Sequence, residues 1–583
     1  MKVLGLNATG PNTASCLVVG GEPVAFAEEE RFTRVKLAMN QIPTRSSRYC
    51  LEAAGLDVQD LDAITLGWGY NKYPTEMARF YAKNMSHPAK DEFSRLYEDI
   101  SLKEKSPGVF QKRLEIAYRR AGFQGQLPPI TYYPHHLCHA YSVFYPSPFE
   151  RATIIVIDGS GEEMATSVWL GSDRDVVFQY SHDLPDSLGY YYAALTEYLG
   201  FSVFTGEGKV MGLAPYGKPN LDLRAKLERV LTLVEDGYRV DPEYIYFATR
   251  TNSLRHTDKL AALLCEPPRQ PESPLTEWHA ELAWEVQHKL EQAMEQVVLR
   301  AIARTGVRDV AIAGGVAMNC KMNGFISRMP AVDRCFVIPA SNDSGASLGS
   351  ALAHCAGDRQ VREKAQKLTA YSGPSFDSEH VVERLREFKI NSYRRYPSSK
   401  LLTYVAARLA EGAIVGWFQG RMEVGARSLG NRSILANPAD PEMKDRINRE
   451  VKHREPFRPF APAILLEHAK DYFSIPERQP YEPYHNWMLQ AAAALPGVRE
   501  RIPAVVHVDG SIRPQVVSER SNSIFYALLR TFHARTGIPV LLNTSFNVRG
   551  EPIVCTPDDA IRCFFSTGLD LIVMEDVVVE KAR

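Results

Sequence analysis

The chain opens on a hydrophobic pattern typical of short β-strands. Residues 3–7 form an apolar run that ends in the polar residue Asn7, and a loop of small residues follows. Two further strand-like runs come next, at 14–19 and 24–27. The pattern predicts a strand, a turn and a second strand at the start of the chain.

The same arrangement recurs about 150 residues later. Residues 154–158 form an apolar run that ends in Asp158, Gly159-Ser160-Gly161 follows, and strand-like runs begin again at 165 and 176. The spacing from the polar residue to the second run is seven residues in both copies. A duplicated strand–turn–strand unit whose turn approaches a phosphate is expected of an actin-like, sugar-kinase-like ATPase core. Two unrelated hairpins in an α/β protein would show the same spacing.

Glycines mark a third strand end, at residues 309–319. Gly314 and Gly315 allow the backbone to approach a ligand at the carboxyl end of a strand, where open α/β sheets bind ligands. A long helical pattern over 276–305 precedes this strand and predicts a helix that crosses over the sheet.

The chain changes character after Leu348. Residues 355–377 are polar and contain Gly and Pro, which indicates a domain boundary. Strand-like and helical runs alternate beyond it, with strands expected at 413–419, 539–543 and 571–574. We therefore predict an α/β protein with a duplicated actin-like domain at 1–365 and a second α/β domain at 366–583.

Composition and charge narrow the classes of function. The 583 residues include 68 Lys and Arg against 69 Asp and Glu, a formal charge of −1, so no basic excess indicates nucleic-acid binding. The sequence contains no run of about 18 apolar residues, so we predict no membrane span. The nine cysteines include no Cys-x-x-Cys pair, so reduced thiols are expected. The start of the chain resembles a mature cytoplasmic N-terminus, and we expect a cytoplasmic protein.

The segment that begins at Pro134 carries three histidines. If a helix starts there, His135 and His139 stand one turn apart on one face, the spacing with which two imidazoles share a metal ion. Asp158 and Asp343 each follow a predicted strand. Two histidines with one or two carboxylates suit iron, manganese or zinc. A capped surface helix with incidental histidines is the alternative.

Two other segments suggest anion binding. Residues 204–212 resemble a Gly-rich loop in which Lys209 offers a compact positive charge to a phosphate, although such turns are often purely structural. Arginines held by Gly and Pro between 421 and 458 suit bidentate recognition of a phosphate or carboxylate, and Asn543 and Arg549 end another predicted strand. A solvated, salt-bridged surface is the alternative for this basic stretch.

Ten ordered motifs together resemble one family. They are AEEERFTR (27–34), HHLCHA (135–140), DGSGE (158–162), GKVMGLA (208–214), GGVAMN (314–319), NDSG (342–345), GRMEVGARSLGNRS (420–433), RPFAP (458–462), RPQ (513–515) and NTSFN (543–547). The chain is similar over nearly its whole length to the O-carbamoyltransferases of antibiotic tailoring and nodulation-factor decoration. It departs from their pattern at Cys138 and Ser428, where Ala is usual.

The resemblance implies two fused catalytic units. The first is similar to the tRNA threonylcarbamoyl transferases, which have an actin-like fold, bind ATP with its Mg²⁺, and hold a divalent metal with two His and two Asp. On that pattern the metal ligands are His135, His139, Asp158 and Asp343. The nucleotide is then lined by Lys209, Gly314, Gly315 and Asn319.

The second unit resembles the YrdC-like aminoacyl-adenylate synthases and implies binding of carbamoyl phosphate. The positions that match are Lys452, Arg458, Arg513, Asn543 and Arg549. The implied reaction converts carbamoyl phosphate and ATP to carbamoyladenylate and transfers the carbamoyl group to a hydroxyl of a small molecule. Asp158 and Arg458 would act in it directly, and His136 is the candidate general base. A structural, hydrogen-bonding His136 is the alternative.

Other functions remain open from these residues. A hydrogenase-maturation carbamoyl enzyme would need zinc-binding cysteine pairs, which are absent from the sequence. An actin-like ATP-binding sensor or chaperone would leave the Arg-rich second domain without a use. Residues 70–124 are aromatic and charged with little sheet pattern, and we expect this insertion to line the acceptor.

Overall fold

The computed structural model describes residues 1–84, 92–173, 175–247, 255–358 and 360–581. The chain divides into two compact units, one made of Met1–Ala25 with Met39–Leu368 and the other of Phe26–Ala38 with Thr369–Arg583. The division after Leu368 falls within the polar segment 355–377. Among the described helices, none combines the length and apolar character that a membrane span requires.

The strands fall into two groups separated by a long helical region. Those before residue 340 are β1 (Lys2–Asn7), β2 (Ala14–Val19), β3 (Glu22–Glu28), β4 (Ala63–Leu66), β5 (Ile130–Tyr132), β6 (Arg151–Gly161), β7 (Met164–Ser172), β8 (Asp175–Asp183), β9 (Leu231–Val234), β10 (Gly237–Val240), β11 (Asp309–Ala313) and β12 (Arg334–Val337). Those after residue 390 are β13 (Arg394–Arg395), β14 (Val415–Phe418), β15 (Arg432–Ala436), β16 (Ala461–Leu465), β17 (Ala492–Ala493), β18 (Ser511–Ile512), β19 (Gln515–Val517), β20 (Val540–Ser545), β21 (Leu571–Met574) and β22 (Val577–Glu580).

The helices connect these strands in both units. Up to residue 265 they are α1 (Glu29–Thr33), α2 (Thr44–Glu52), α3 (Tyr73–Lys83), α4 (Glu92–Glu104), α5 (Pro107–Arg120), α6 (His135–Phe144), α7 (Leu188–Tyr198), α8 (Glu207–Leu213), α9 (Leu221–Val230) and α10 (Asp258–Leu264). The others are α11 (Glu277–Thr305), α12 (Cys320–Ser327), α13 (Ser344–Cys355), α14 (Val361–Ala365), α15 (Ser378–Glu387), α16 (Ser398–Ala410), α17 (Met443–Ile447), α18 (Val498–Arg501), α19 (Ser523–Thr536) and α20 (Pro557–Phe565).

The first unit contains two five-stranded sheets with the same topology. One has the strand order β3-β2-β1-β4-β5 and the other β8-β7-β6-β11-β12. In each sheet a strand pairs antiparallel with the next strand of the chain on one side and parallel with a later strand on the other. This repetition confirms the duplicated unit expected from the sequence, and with it the actin-like core.

Helix α13 packs unusually close to its neighbours. A Cβ at Gly349 would overlap the carbonyl oxygen of Cys138 on α6, and a Cβ at Gly5 of β1 would overlap that of Ser347 on α13. At Gly67, just after β4, a Cβ would lie 2.8 Å from the Cβ of Ala346. Glycine is therefore required where these backbones meet, and the contacts fix α6 relative to the first sheet.

The second unit is built on one eight-stranded sheet. Its order is β13-β22-β21-β14-β15-β20-β16-β19, with parallel and antiparallel pairs. Buried side chains of α16 and α19, such as Val405 and Phe532, pack with one face, and those of α15 and α20, such as Leu385 and Phe564, pack with the other. An α/β second domain was expected, and this sheet confirms it.

A piece of the N-terminal chain belongs to the second unit, which the sequence did not indicate. Residues Phe26–Ala38 leave the first unit within β3 and include α1. The buried guanidinium of Arg31 donates to the carbonyl of Gly425 at 2.8 Å and pairs with Glu28 at 3.1 Å. Glu28 in turn accepts a hydrogen bond from the Gly425 amide at 2.9 Å. These buried charges hold the segment in place.

We expect Gly349→Ala to lower the free energy of unfolding of the first unit by about 1–3 kcal/mol, because the added methyl group must push α13 away from α6. Urea denaturation would measure the loss. Gly357→Ala is the control, since a Cβ there meets nothing within 4 Å. Equal stability of the two variants would contradict the close packing described for α13.

Candidate functional site

Helix α6 carries the histidines of the first unit. It begins directly after Pro134, whose side chain suits the start of a helix, and its buried face includes His135 and His139 one turn apart. Both imidazoles are fully buried. The predicted helix and its spacing are confirmed, whereas the alternative of a surface helix is not.

Four potential metal ligands converge beside this helix. His135, His139, Asp158 at the end of β6 and Asp343 at the start of α13 offer ligand atoms that all lie within 4.8 Å of one another. The Nε2 atoms of the two histidines are 3.1 Å apart, and the Oδ2 atom of Asp158 lies 3.3 Å from Nε2 of His139. These are the four residues that the family resemblance implied as ligands.

The surroundings of the cluster suit a divalent cation. Nδ1 of His135 lies 2.9 Å from the carbonyl oxygen of Gly67, to which it donates, so Nε2 keeps its lone pair for the cluster. Asp158 accepts hydrogen bonds from the amides of Gly159 and Gly315 at 2.7 and 3.2 Å, which fix the carboxylate. Two oriented carboxylates and two imidazoles form a donor set that fits iron, manganese or zinc.

Burial and mutual repulsion shape the charges of this cluster. Burial and the neighbouring charge of Asp158 raise the pKa of Asp343. Burial alone would lower the pKa of His135, but its hydrogen bond to Asp158 and the charges of Asp343 and Asp158 raise that pKa to about 9. The carboxylates thus impose a strong preference for positive charge at their centre.

His136 makes its hydrogen bond outside the group of potential metal ligands. Its Nδ1 lies 2.8 Å from the hydroxyl oxygen of Ser167, while its Nε2 is buried without a hydrogen-bond partner among the described residues. Burial, and then the positive charge of His135, hold the pKa of His136 well below its usual value, so the imidazole is neutral. A neutral imidazole can accept a proton, and its role as general base stays a prediction.

Of the four residues proposed to line the nucleotide, Gly314 and Gly315 follow β11, Asn319 caps α12, and Lys209 lies on α8. Gly314 has a φ of 95°, and a Cβ there would overlap the carbonyl of Ile157, so this strand end requires glycine. Asn319 caps α12 through the amide of Met322 at 3.0 Å and donates to Gln287 at 2.8 Å. Both are therefore rigidly held beside the end of β6.

Lys209 corrects one expectation from the sequence. Residues 207–213 form the helix α8 and not a loop, because Val210 and Leu213 lie one turn apart and are buried on one face. The ammonium of Lys209 lies 5.2 Å from the centre of the Phe201 ring. A 3.7 Å contact between Met211 and Cys320 places α8 next to the start of α12, close to Asn319.

The second unit gathers positive charge. Burial, followed by the charge of Arg454, lowers the pKa of Lys452, and burial followed by Arg458 and Arg513 lowers that of Arg454. Burial also lowers the pKa of Arg458. The negative charge of Glu455 opposes this decrease, and the positive charges of Arg513 and Arg549 add to it. We call Lys452, Arg454, Arg458, Arg513 and Arg549 the cation cluster.

One carboxylate lies beside the cation cluster. Glu455 is 3.9 Å from a nitrogen of Arg458 and 3.9 Å from one of Arg549. Cations that depress one another's pKa values are stabilised by an anion among them. The structure therefore brings together four of the five residues that the resemblance assigned to carbamoyl phosphate, with Arg454 as an addition.

Lys452 has a second use in this unit. Its ammonium donates to the backbone carbonyl of Ser545, to the carbonyl of Asn547 at 2.9 Å and to Oδ1 of Asn547 at 2.9 Å. These bonds fasten the loop that follows β20. Direct contact between Lys452 and a ligand stays a prediction, because its three donors already have acceptors.

Asn543 on β20 ends in an unsatisfied acceptor. Its amide nitrogen donates to the carbonyl of Ser428 at 3.2 Å and to Oε1 of Gln515 at 2.8 Å, which fixes the orientation of the amide. Its Oδ1 is buried with no hydrogen-bond partner among the described residues. A buried, oriented carbonyl oxygen of this kind suits an N–H donor on a ligand.

Three residues in or near the cation cluster, Arg454, Gln515 and Lys36, were not assigned from the sequence. Arg454 donates to Asn448 at 2.8 Å and lies 4.6 Å from the Phe460 ring. Gln515 orients Asn543. Burial and the positive charges of Arg31 and Arg458 lower the pKa of Lys36, against the opposing charges of Glu30 and Glu28. Lys36 follows the AEEERFTR motif, so the motif was a signal, but its distance along the chain concealed the role.

Comparisons with known proteins find matches to both halves of the chain. Residues 2–352 match the family model described as carbamoyltransferase N-terminus, and residues 406–581 match that described as carbamoyltransferase C-terminus. Nodulation protein NolNO of Sinorhizobium fredii is 35% identical over 98% of this chain and 80% of its own length. An uncharacterized protein of Synechocystis is 37% identical over 99% of this chain and 96% of its own.

Solved structures give a weaker likeness. HypF of T. kodakarensis has a TM-score of 0.30 at 15% identity, covering 63% of this chain and 49% of its own, and this level of likeness supports no conclusion. The match to the N-terminal family model alone covers more than half of the chain. This match, together with relatives that align along most of the chain, shows that the chain belongs to the carbamoyltransferase family.

Proposed function

We propose that the protein is an ATP-dependent O-carbamoyltransferase. It converts carbamoyl phosphate and ATP, bound with Mg²⁺, to carbamoyladenylate and transfers the carbamoyl group to a hydroxyl of a small-molecule acceptor. Attack of a carbamate oxygen on the α-phosphate of ATP would release pyrophosphate, so carbamoyl phosphate must first lose its phosphate to water. The acceptor-free reaction therefore has two measurable products, phosphate and pyrophosphate.

The observation that carries the proposal is the cation cluster of the second unit. Arg454 and Arg458 are half-buried, and the charges of neighbouring arginines add to burial in lowering their pKa values, so the cluster suits a multiply charged anion such as carbamoyl phosphate. Arg458, Arg513 and Arg549 would bind its phosphate and stabilise charge that develops as the phosphate leaves. An actin-like sensor or chaperone, the alternative function, has no use for such a cluster.

Asn543 supports recognition of the carbamoyl end. The buried Oδ1 can accept a hydrogen bond from the carbamoyl NH₂ group, and the Ser428 and Gln515 contacts keep it from rotating away. A donor with a methyl group in place of NH₂ would leave this oxygen unsatisfied, which is costly in a buried site. The residue would thus select a carbamoyl over an acyl phosphate.

The transfer step is proposed for the first unit. A divalent metal held by His135, His139, Asp158 and Asp343 would bind the adenylate phosphate and polarise the leaving group. Gly314, Gly315, Asn319 and Lys209 would hold the rest of the nucleotide, in keeping with their placement at the end of β11 and on α12 and α8. His136 would take the proton of the acceptor hydroxyl through its Nε2.

Replacing one arginine of the cation cluster should weaken binding of carbamoyl phosphate. We expect Arg458→Ala, Arg513→Ala or Arg549→Ala to lower kcat/KM for carbamoyl phosphate by roughly 30- to 1,000-fold, because each removes a charge-assisted contact worth about 2–4 kcal/mol. Initial rates of phosphate release would measure it. Arg449→Ala is the control, since Arg449 is exposed and pairs with Glu450. If a cluster variant keeps the same kcat/KM as this control, the arginine that it lacks does not bind the substrate.

Removing the Asn543 acceptor should reduce discrimination between donors. We expect Asn543→Ala to raise the KM for carbamoyl phosphate about 5- to 100-fold while the inhibition constant of acetyl phosphate changes little. Competition kinetics would give both constants, with the exposed Asn391→Ala as the control. An equal loss of affinity for the two phosphates would show that Asn543 does not read the NH₂ group.

Removing the metal ligands should separate the two half-reactions. We expect His135→Ala and His139→Ala to abolish carbamoyl transfer but to keep acceptor-free pyrophosphate release, because activation is assigned to the cation cluster. Elemental analysis should show loss of bound metal in both variants and not in His288→Ala, whose imidazole packs on Trp284 outside the cluster. Stoichiometric metal in the double variant would refute the ligand assignment.

A further inference from the structure

One lysine of the insertion between β4 and β5 approaches the metal-ligand cluster. Lys105 follows the last residue of α4, and its side chain is half-buried. Its ammonium lies 4.8 Å from the centre of the Trp68 ring and 4.6 Å from that of Tyr73. The Trp68 ring stacks on the imidazole of His135 with a centroid distance of 4.1 Å. A single aromatic ring therefore links Lys105 to a metal ligand.

The positive charge of Lys105 acts on carboxylates in and beside the cluster. Burial raises the pKa of Asp343 and that of Glu162, and the charge of Lys105 opposes both increases. Glu162 accepts a hydrogen bond from the backbone amide of His135 at 3.1 Å. Burial would lower the pKa of Lys105, but Tyr73 and Tyr70 raise it, so the ammonium stays protonated. The cation is therefore a fixed part of the electrostatics around this cluster.

Lys105 has more donors than protein acceptors. An ammonium carries three N–H donors, and within the described residues one of them reaches the hydroxyl of Tyr73, at a long 3.3 Å. Cation–π contacts with Trp68 and Tyr73 hold the group in place without occupying the other two donors. A partly desolvated ammonium with open donors suits oxygen atoms of a ligand.

A second cation lies near β6. The guanidinium of Arg255 is 4.3 Å from the centre of the Tyr190 ring, and the Tyr190 hydroxyl is 2.9 Å from that of Ser160, which lies on β6 two residues after Asp158. Tyr190 also interacts electrostatically with Lys105. Two cations, Lys105 and Arg255, therefore lie on this side of the cluster, together with the buried carboxylate of Glu162.

The nucleotide residues approach the cluster from different elements. The amide of Gly315, two residues after β11, donates to Asp158, and Asn319 caps α12. Lys105 instead contacts Trp68, which stacks on His135. If the nucleotide is held by β11 and α12, the side that carries Lys105 is left for the molecule that receives the carbamoyl group. This step rests on the function proposed above.

We propose that Lys105 binds the carbamoyl acceptor through the acceptor's oxygen atoms and makes the protein select neutral or anionic hydroxylated rings over amine-bearing ones. Its donors bind hydroxyl or carboxylate oxygens, and its charge, with that of Arg255, repels an ammonium group. Trp68 and Tyr73 hold the ammonium in position for this contact.

Three hexoses that differ in charge test the proposal. Carbamoyl transfer to glucuronate, glucose and glucosamine would be measured by mass spectrometry with the full chain, ATP and carbamoyl phosphate. We expect glucosamine to be the poorest acceptor. Lys105→Met should lower kcat/KM for glucuronate roughly 10- to 100-fold, which is the effect of losing one hydrogen bond to a charged group. The difference in kcat/KM between glucuronate and glucosamine should therefore become smaller. Lys105→Arg should keep the order of the three.

Two controls separate the possible failures. Lys103→Met removes an exposed lysine from α4 and should leave all three rates unchanged. Acceptor-free pyrophosphate release should be the same in Lys105→Met and the parent protein, and its absence from the parent would refute the proposed function itself. With that release intact, transfer to none of the hexoses, equal transfer to all three, or an effect of Lys105→Met on the KM for ATP alone would overturn the role of Lys105.

Discussion

The close approach of α13 to α6 and to the first sheet is the constraint on which the metal-ligand cluster depends. Glycine at positions 5, 67 and 349 lets backbone meet backbone where any side chain would intervene. Asp343 stands at the start of α13, and His135 and His139 stand on α6, so the same packing sets the distance between carboxylate and imidazoles. The geometry of the cluster is thus a consequence of helix packing.

The two units gather side chains of opposite charge. The first brings two carboxylates and two imidazoles together, and the second brings a lysine and four arginines together. The formal charge of −1 for the whole chain does not indicate either cluster, because it sums charges over all residues. Each arrangement favours a ligand of opposite sign, a divalent cation in one unit and a phosphate in the other.

The sequence predicted what periodicity and local spacing determine. The strand repeat, the crossover helix α11 and the one-turn spacing of His135 and His139 depend on neighbouring residues, and the structure has them. Lys209 was placed in a loop because its flanking glycines dominated the pattern, although buried Val210 and Leu213 stabilise a helix there. Tertiary packing overrode local propensity at this point.

Contacts between distant segments lay beyond the reach of the sequence. Nothing local indicates that Phe26–Ala38 belongs with the second unit, that Lys452 fastens the loop after β20, or that Lys105 faces His135 across Trp68.

The most direct test of the account is an acceptor-free reaction with ATP and ¹³C-labelled carbamoyl phosphate, analysed by mass spectrometry. The account predicts labelled carbamoyladenylate together with pyrophosphate, whereas formation of ADP, or no consumption of ATP, would contradict it.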